Sequence, residues 1–272
     1  MPGQTHHMPC DLKYVGHKSR AQWAVNPSGT AVVFVHGFGG SSTKSWTNFS
    51  GLAPQRSSCV GVDLLFYGYD SIGQHLHPVA ADLRKLLDDL FTNPADSVIN
   101  RTLDIGYYRP NSFNYKRIVV AAHSSGAVIA RQSLLEATQA MAPWSTKTRL
   151  VCFAPAHHGV RAADLAGECF SLLKIPLIGS VATLFFKTLS DLKGDSPLLK
   201  SLKEQTSAAI SSGAQHLVAK NVVFARNDPI VETVRFCVDP PPDFIENKTH
   251  FSVCQPDVDF LDPLQYIEGA LQ

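Results

Sequence analysis

Charge is scarce in this chain. Asp, Glu, Lys and Arg make up 17% of its 272 residues, where globular domains ordinarily carry about a quarter. The formal net charge is +1. That leaves no electrostatic footprint for nucleic acid or for strongly acidic partners. The six cysteines, at 10, 59, 152, 169, 237 and 254, contain no Cys-x-x-Cys. Neither a zinc ribbon nor a thioredoxin motif is supported, and no metal site is expected. No run reaches the length of a membrane span. The apolar stretch Ile175–Phe186 has only twelve residues, between Lys174 and Lys187. It reads as a buried helix, as a lid over an apolar site, or as a helix dipping transiently into a membrane surface. The stretch Met1–Met8 has no basic region followed by an apolar one, so no signal peptide is read. A cytoplasmic setting with free thiols is expected, although Cys237 and Cys254 flank a loop and could pair in an exported protein.

Nucleotide-binding glycine motifs are missing as well. The segment His36-Gly37-Phe38-Gly39-Gly40 follows the apolar strand-like run Ala31–Val35. It is not a Walker A loop, because Lys44 is preceded by Thr43 where glycine is needed, and it is not Gly-x-Gly-x-x-Gly. No cofactor is expected. One remaining reading is a flexible connection. The other is a loop whose glycines let the Phe38 amide approach a substrate oxygen.

What the chain does have is a series of strand-like runs: Ala31–Val35, Cys59–Leu64, Ile118–Ala122, Arg149–Ala154 and Asn221–Arg226. They are nearly all apolar, as strands buried on both faces must be. Arg20–Val25 and Asp11–His17 are weaker strand candidates, and residues 1–10 read as a polar, mobile lead. Helical spacing over Pro78–Phe91 places Val79, Leu83, Leu86, Leu87 and Leu90 on one face. Phe260–Leu271 reads as a closing helix. Strands alternating with helices predict a mostly parallel sheet covered on both faces. A single domain over 1–272 is expected, with a helical insertion at about 160–215 after the sixth strand. Ser196-Pro197 starts a capped helix within that insertion. The irregular stretch Thr92–Lys116 carries Tyr107, Tyr108 and Phe113, which pack on the domain or edge a pocket.

The run Ile118–Ala122 leads into Ala122-His123-Ser124-Ser125-Gly126, followed by the apolar Ala127, Val128, Ile129 and Ala130. Strand, tight turn with a central serine, then helix is the setting of a nucleophile elbow; a serine merely capping a helix is the plainer alternative. Downstream, Asp228 follows the run Asn221–Arg226, and His250 comes later. The chain order is thus Ser124, Asp228, His250. A serine hydroxyl attacks at neutral pH only if an imidazole takes its proton, and a carboxylate fixes that imidazole. The amides of Phe38 and Ser125 are candidates for holding the oxyanion. Rivals exist. Asp63 is the second choice of acid, with Asp191 and Asp195 in the insertion. His36 reads as a brace for the glycine loop, His123 as a bystander, and His157 and His158 precede the acid in chain order. Ser125 could attack only if the turn slipped by one residue.

Together these segments resemble an α/β-hydrolase of the lipase and esterase type over roughly residues 30–260. Ala154-Pro155-Ala156-His157-His158-Gly159 is similar to the Thr-Pro-His-x-Gly of the GPI-inositol-deacylase-like serine esterases, with Ala154 in place of Thr. The resemblance implies hydrolysis of carboxylic esters through an acyl-enzyme, with a small-molecule or lipid-like substrate. An acyltransferase, thioesterase or amidase would use the same residues. A non-catalytic binding module on the same fold is the alternative of a different class.

Overall fold

The computed structural model describes residues 7–11, 19–92, 109, 112–173 and 187–272. The strands are β1 (His7–Asp11), β2 (Arg20–Ala24), β3 (Thr30–Val35), β4 (Val62–Tyr67), β5 (Arg117–His123), β6 (Thr148–Phe153), β7 (Asn221–Ala225) and β8 (Asp243–Ile245). They form one eight-stranded sheet in the order β1-β2-β4-β3-β5-β6-β7-β8. The pairs from β4 to β8 are parallel, and β2 runs antiparallel to both β1 and β4. The helices are α1 (Phe49–Leu52), α2 (Leu76–Thr92), α3 (Ser125–Gln139), α4 (Ala162–Leu173), α5 (Pro197–Ser211) and α6 (Asp262–Leu271).

The central strands carry the sheet because their side chains find apolar neighbours on both faces. Val32, Val33, Val35, Ile118, Val119, Leu150, Val151 and Val223 are buried without residual exposure. The buried face of α2 comprises Leu76, Val79, Ala80, Leu83, Leu86, Leu87 and Leu90. At the opposite end of the chain, α6 is tied to the starts of β5 and β6. Arg117 donates to the Leu271 carbonyl, and Arg149 donates to that of Ala270 at 2.9 Å.

Several expectations shift. Residues 7–10, read as a mobile lead, belong to β1. Pairing with β2 orders them, and the His7 imidazole donates to the Val62 carbonyl at 2.8 Å. The strand expected at Cys59–Leu64 starts only at Val62, because Cys59 closes a single 3₁₀ turn over Ser57–Cys59. Gly61 then turns the chain at φ 82°, where its carbonyl takes the Ser28 amide at 2.7 Å. The helix α2 begins two residues before Pro78, at Leu76, whose amide is capped by Asp191 at 2.7 Å. The three-residue strand β8 has no counterpart among the expected strands. Of the insertion, α4, a helical turn at 187–191 and α5 are described, and Ser196 caps α5 by accepting from the Leu199 amide at 3.3 Å. The segment 175–186 and the tyrosines 107 and 108 lie outside the described residues. Among those described, no helix is long and apolar enough to cross a membrane. Cys237 and Cys254 are both free: Cys254 is buried against the Ser45 carbonyl, and Cys237 faces Ser207 on α5.

Asp63 is the second residue of β4, so it sits at the amino end of the sheet and not at the end of a strand. Its carboxylate is fully buried. Arg109 donates to it in a fork at 2.9 and 2.5 Å, Tyr115 at 2.6 Å and the Ala24 amide at 2.9 Å. Four donors on one carboxylate are a clamp that holds β2, β4 and the approach to β5 together. Asp63→Asn should cost about 3–5 kcal/mol in chemical denaturation, because it leaves the Arg109 guanidinium buried without its counter-charge. Turnover per folded molecule should be unchanged; a large loss of turnover in folded protein would contradict the structural role.

Candidate active site

The geometry starts from the turn between β5 and α3. Ser124 adopts φ 54° and ψ −124°, a conformation that costs a side-chain-bearing residue about 1–3 kcal/mol and needs surrounding structure to hold it. Here the Ser124 amide donates to the Phe153 carbonyl at 3.0 Å, and its own carbonyl accepts from Ala127 at 3.0 Å and Ala156 at 3.2 Å. Gly126 is required by packing. A Cβ there would lie 2.3 Å from the His36 carbonyl oxygen and 2.5 Å from that of Val35. The start of α3 therefore presses directly on the end of β3. Gly37 is equally constrained, since its Cβ would lie 2.7 Å from that of Ser124. The glycine loop after β3 thus runs against the serine, with the Phe38 side chain buried beside it.

Three side chains from distant parts of the chain meet at this turn. His250 Nε2 lies 2.9 Å from Ser124 Oγ, and His250 Nδ1 lies 2.8 Å from Asp228 Oδ2. The second carboxylate oxygen, Oδ1, accepts from the amides of Ile230 at 2.9 Å and Val231 at 3.3 Å. A carboxylate can only accept, so Nδ1 carries the proton in the neutral ring and Nε2 is left as an acceptor facing the hydroxyl. Ser124, His250 and Asp228 are all buried. Burial pushes the Asp228 carboxyl up. The hydrogen bond and charge of His250, with the two loop amides, outweigh it and hold the group below its ordinary value. Asp228 follows β7 closely, and His250 lies five residues past the end of β8, so all three come from the carboxyl end of the sheet. Among the described residues, no group of three or more His, Cys, Asp or Glu could hold a metal ion.

The rivals are placed elsewhere. His36 braces the glycine loop as expected: Nδ1 contacts the Gly37 carbonyl at 3.0 Å, and its ring stacks on Tyr69 at 4.2 Å. The Tyr69 hydroxyl donates to the His36 carbonyl at 2.5 Å, a contact no sequence pattern announced. His157 is buried below α3, where Arg131 Nε donates to it at 3.3 Å. Burial and that guanidinium hold its imidazole well below the usual value, so it stays neutral. Arg131 itself pairs with Asp239 at 2.5 Å and both are fully buried, locking α3 to the loop before β8. His158 contacts the Arg235 carbonyl at 3.2 Å. Asp191 caps α2 and pairs with His75 at 3.1 Å, while Asp195 is exposed. Ser125 is the first residue of α3, buried, and His250 faces Ser124 rather than Ser125. His123, read as a bystander, contacts the loop that carries His250. Its Nε2 lies 2.8 Å from the His250 carbonyl oxygen.

A family model described as "Alpha/beta hydrolase family" matches residues 32–252. No curated protein matches the chain in sequence. Among solved structures, the mature form of the Bacillus licheniformis lipase BlEst2 is similar with a TM-score of 0.53 at 16% identity, over 96% of this chain and 98% of that one. The peroxisomal alpha-beta-hydrolase Lpx1 of Saccharomyces cerevisiae gives 0.52 at 10% identity, over 98% and 90%. The 2-hydroxy-6-oxo-6-phenylhexa-2,4-dienoate hydrolase of Rhodococcus sp. strain RHA1 gives 0.51 at 13% identity, over 97% and 98%. Identities this low speak for a shared fold and leave the substrate open.

Proposed function

Because the chain belongs to the alpha/beta hydrolase family, we propose that it is a serine hydrolase that cleaves carboxylic esters through an acyl-enzyme on Ser124. The observation that carries this reading is the unbroken relay from Asp228 through His250 to Ser124, with 2.8 and 2.9 Å steps. In the first half-reaction His250 Nε2 takes the hydroxyl proton as Ser124 Oγ attacks the ester carbonyl carbon. The carbonyl oxygen becomes an oxyanion, to which the amides of Phe38 and Ser125 donate. The amide of Ser125 suits this because it opens a fifteen-residue helix and its N–H is not needed within the helix. The intermediate collapses, His250 gives its proton to the leaving alkoxide, and the acyl group stays on Ser124. Water then repeats the sequence through the same base and releases the acid.

The substrate is proposed to be lipid-like. The support is chemical: a chain poor in charge, and an apolar stretch at 175–186 inside the insertion between β6 and β7. We read the insertion at about 160–215, of which Ala162–Leu173 and Pro197–Ser211 are described helices, as a cap or lid on a single domain. The Ala154–Gly159 segment, which lies against the elbow through the Ala156 amide, is the basis for placing the chain near the GPI-inositol-deacylase-like branch. A p-nitrophenyl ester series from acetate to palmitate tests the reading. Turnover with kcat/KM rising toward longer acyl chains is expected. A strong preference for acetate would contradict the lipid-like substrate, and no turnover of any member would contradict ester hydrolysis.

A further inference from the structure

His123 occupies an unusual position in this site. It is the last residue of β5 and the immediate neighbour of Ser124, yet its ring turns away from the serine and reaches the loop that carries His250. A carbonyl oxygen can only accept, so the 2.8 Å contact from His123 Nε2 to the His250 carbonyl requires the proton on that nitrogen. The opposite edge of the ring faces the glycine loop, where a Cβ at Gly37 would come within 3.0 Å of Nδ1. The ring is buried, 5.0 Å from the His250 ring centroid and 6.0 Å from that of Phe251. Burial first, and then the neighbouring His250, pushes its imidazole down to about 3. A neutral ring puts no positive charge beside the imidazolium that forms on His250.

His250 is thereby held at three points. Asp228 fixes Nδ1, Ser124 meets Nε2, and His123 fixes the main-chain carbonyl. The first two bonds act on the ring; the third acts on the main chain of the base itself, in a loop that Asn48 and Cys254 tie down only further along, through the Pro256 and Ser45 carbonyls. The third closes a ring: two consecutive residues of the elbow bind the two ends of one histidine. Nucleophile and base are thus tied at the elbow, although they stand 126 positions apart in the sequence.

On this basis we infer that His123 is a positioning residue, a neutral Nε2–H donor that fixes the backbone of the base His250 relative to the nucleophile Ser124. The inference rests on the hydrolase reading above. A misplacement of about 1 Å between reacting groups costs on the order of 100-fold in rate. With p-nitrophenyl butyrate, His123→Leu should therefore lower kcat by up to about 100-fold with KM unchanged. His123→Gln, whose amide nitrogen reaches the place of Nε2, should restore about tenfold of that loss. A purely space-filling role would make Gln no better than Leu, and that result overturns the inference, as does kcat in the Leu variant equal to wild type. A second measurement does not depend on the variants folding. In ¹⁵N-histidine-labelled wild-type protein, His123 should show the Nε2–H tautomer and no titration between pH 5 and 8. An Nδ1–H tautomer, or titration in that range, overturns the inference. Wild-type protein that hydrolyses no ester and whose Ser124 resists a fluorophosphonate overturns the hydrolase reading and this inference with it. An active, labelled wild type with an unaffected Leu variant overturns the inference alone.

Discussion

Ser124→Ala is expected to lower the turnover of a short p-nitrophenyl ester by on the order of 10⁴- to 10⁶-fold while the protein stays folded. The size follows from what the substitution removes. The hydroxyl is the group that meets His250 Nε2, at 2.9 Å, and without it no acyl-enzyme can form. What survives is the binding of substrate and any help from the loop amides, which by themselves give only a modest rate over water. Folding should be nearly untouched. The elbow is held by backbone bonds of Ser124, to Phe153, Ala127 and Ala156, and alanine keeps all of them. One buried hydrogen bond is lost, worth about 1 kcal/mol. A thermal melt close to wild type, together with the collapse of kcat, separates a chemical role from a structural one. A variant that keeps a tenth or more of wild-type turnover would remove Ser124 from the mechanism.

Asp228→Asn should cost on the order of 10⁴-fold in kcat near neutral pH. The carboxylate now makes two kinds of contact: Oδ2 takes the proton of His250 Nδ1, and Oδ1 takes the amides of Ile230 and Val231. All of these partners are donors when His250 is the Nδ1–H tautomer. An asparagine amide has one acceptor oxygen and one donor nitrogen, so it cannot satisfy both sides. If its oxygen stays on the loop amides, its nitrogen faces Nδ1 and drives the ring to the Nε2–H tautomer. That ring cannot take the serine proton. If the amide flips, two loop amides lose their acceptor and the loop after β7 is destabilised. Either arrangement lowers the rate, and the pH–rate profile tells them apart from simple unfolding. Equal kcat in Asn and wild type would reassign the acid, and Asp63 is poorly placed to replace it, since its carboxylate is consumed by Arg109, Tyr115 and Ala24 at the other end of the sheet.

The comparison of Asp63 with Asp228 shows what could and could not be read from sequence. Both follow apolar runs, and both looked like residues at strand ends. The difference lies in three residues of register. Gly61 at φ 82° delays the start of β4 to Val62, so Asp63 is the second residue of the strand and does not follow its end. Nothing local in Cys59-Val60-Gly61-Val62 marks that shift, because the run is apolar on both sides of the glycine. The central strands β3, β5, β6 and β7 were legible for a definite reason. Strands buried on both faces must be continuously apolar, which is a strong local signal. The edge strands β1 and β8 carry no such signal; each pairs on one side only, with the strand adjacent to it in sequence, and β8 has only three residues.

The site divides in the same way. The elbow was readable because Gly126 has to be glycine where α3 meets β3, and because chain order brought Asp228 and His250 after Ser124. His123 reads as a bystander from sequence alone. Its place in the turn correctly excluded it from facing Ser124. Its contact is with a backbone carbonyl 127 residues later, and a carbonyl leaves no trace in side-chain pattern. The Tyr69 hydroxyl on the His36 carbonyl is hidden for the same reason. Main-chain contacts across the carboxyl end of the sheet hold the proposed catalytic groups in place, and these are the part of a site least visible in a sequence.

The most direct measurement of the central claim is the site of covalent labelling by a fluorophosphonate. An unactivated serine does not react with it, and a serine whose proton is taken by an adjacent imidazole does. Wild-type protein should take up one label per chain, found by peptide mass mapping on Ser124, with labelling lost in Ser124→Ala and strongly slowed in Asp228→Asn. A label on any other residue, or no label under conditions where the protein is folded, would contradict the account.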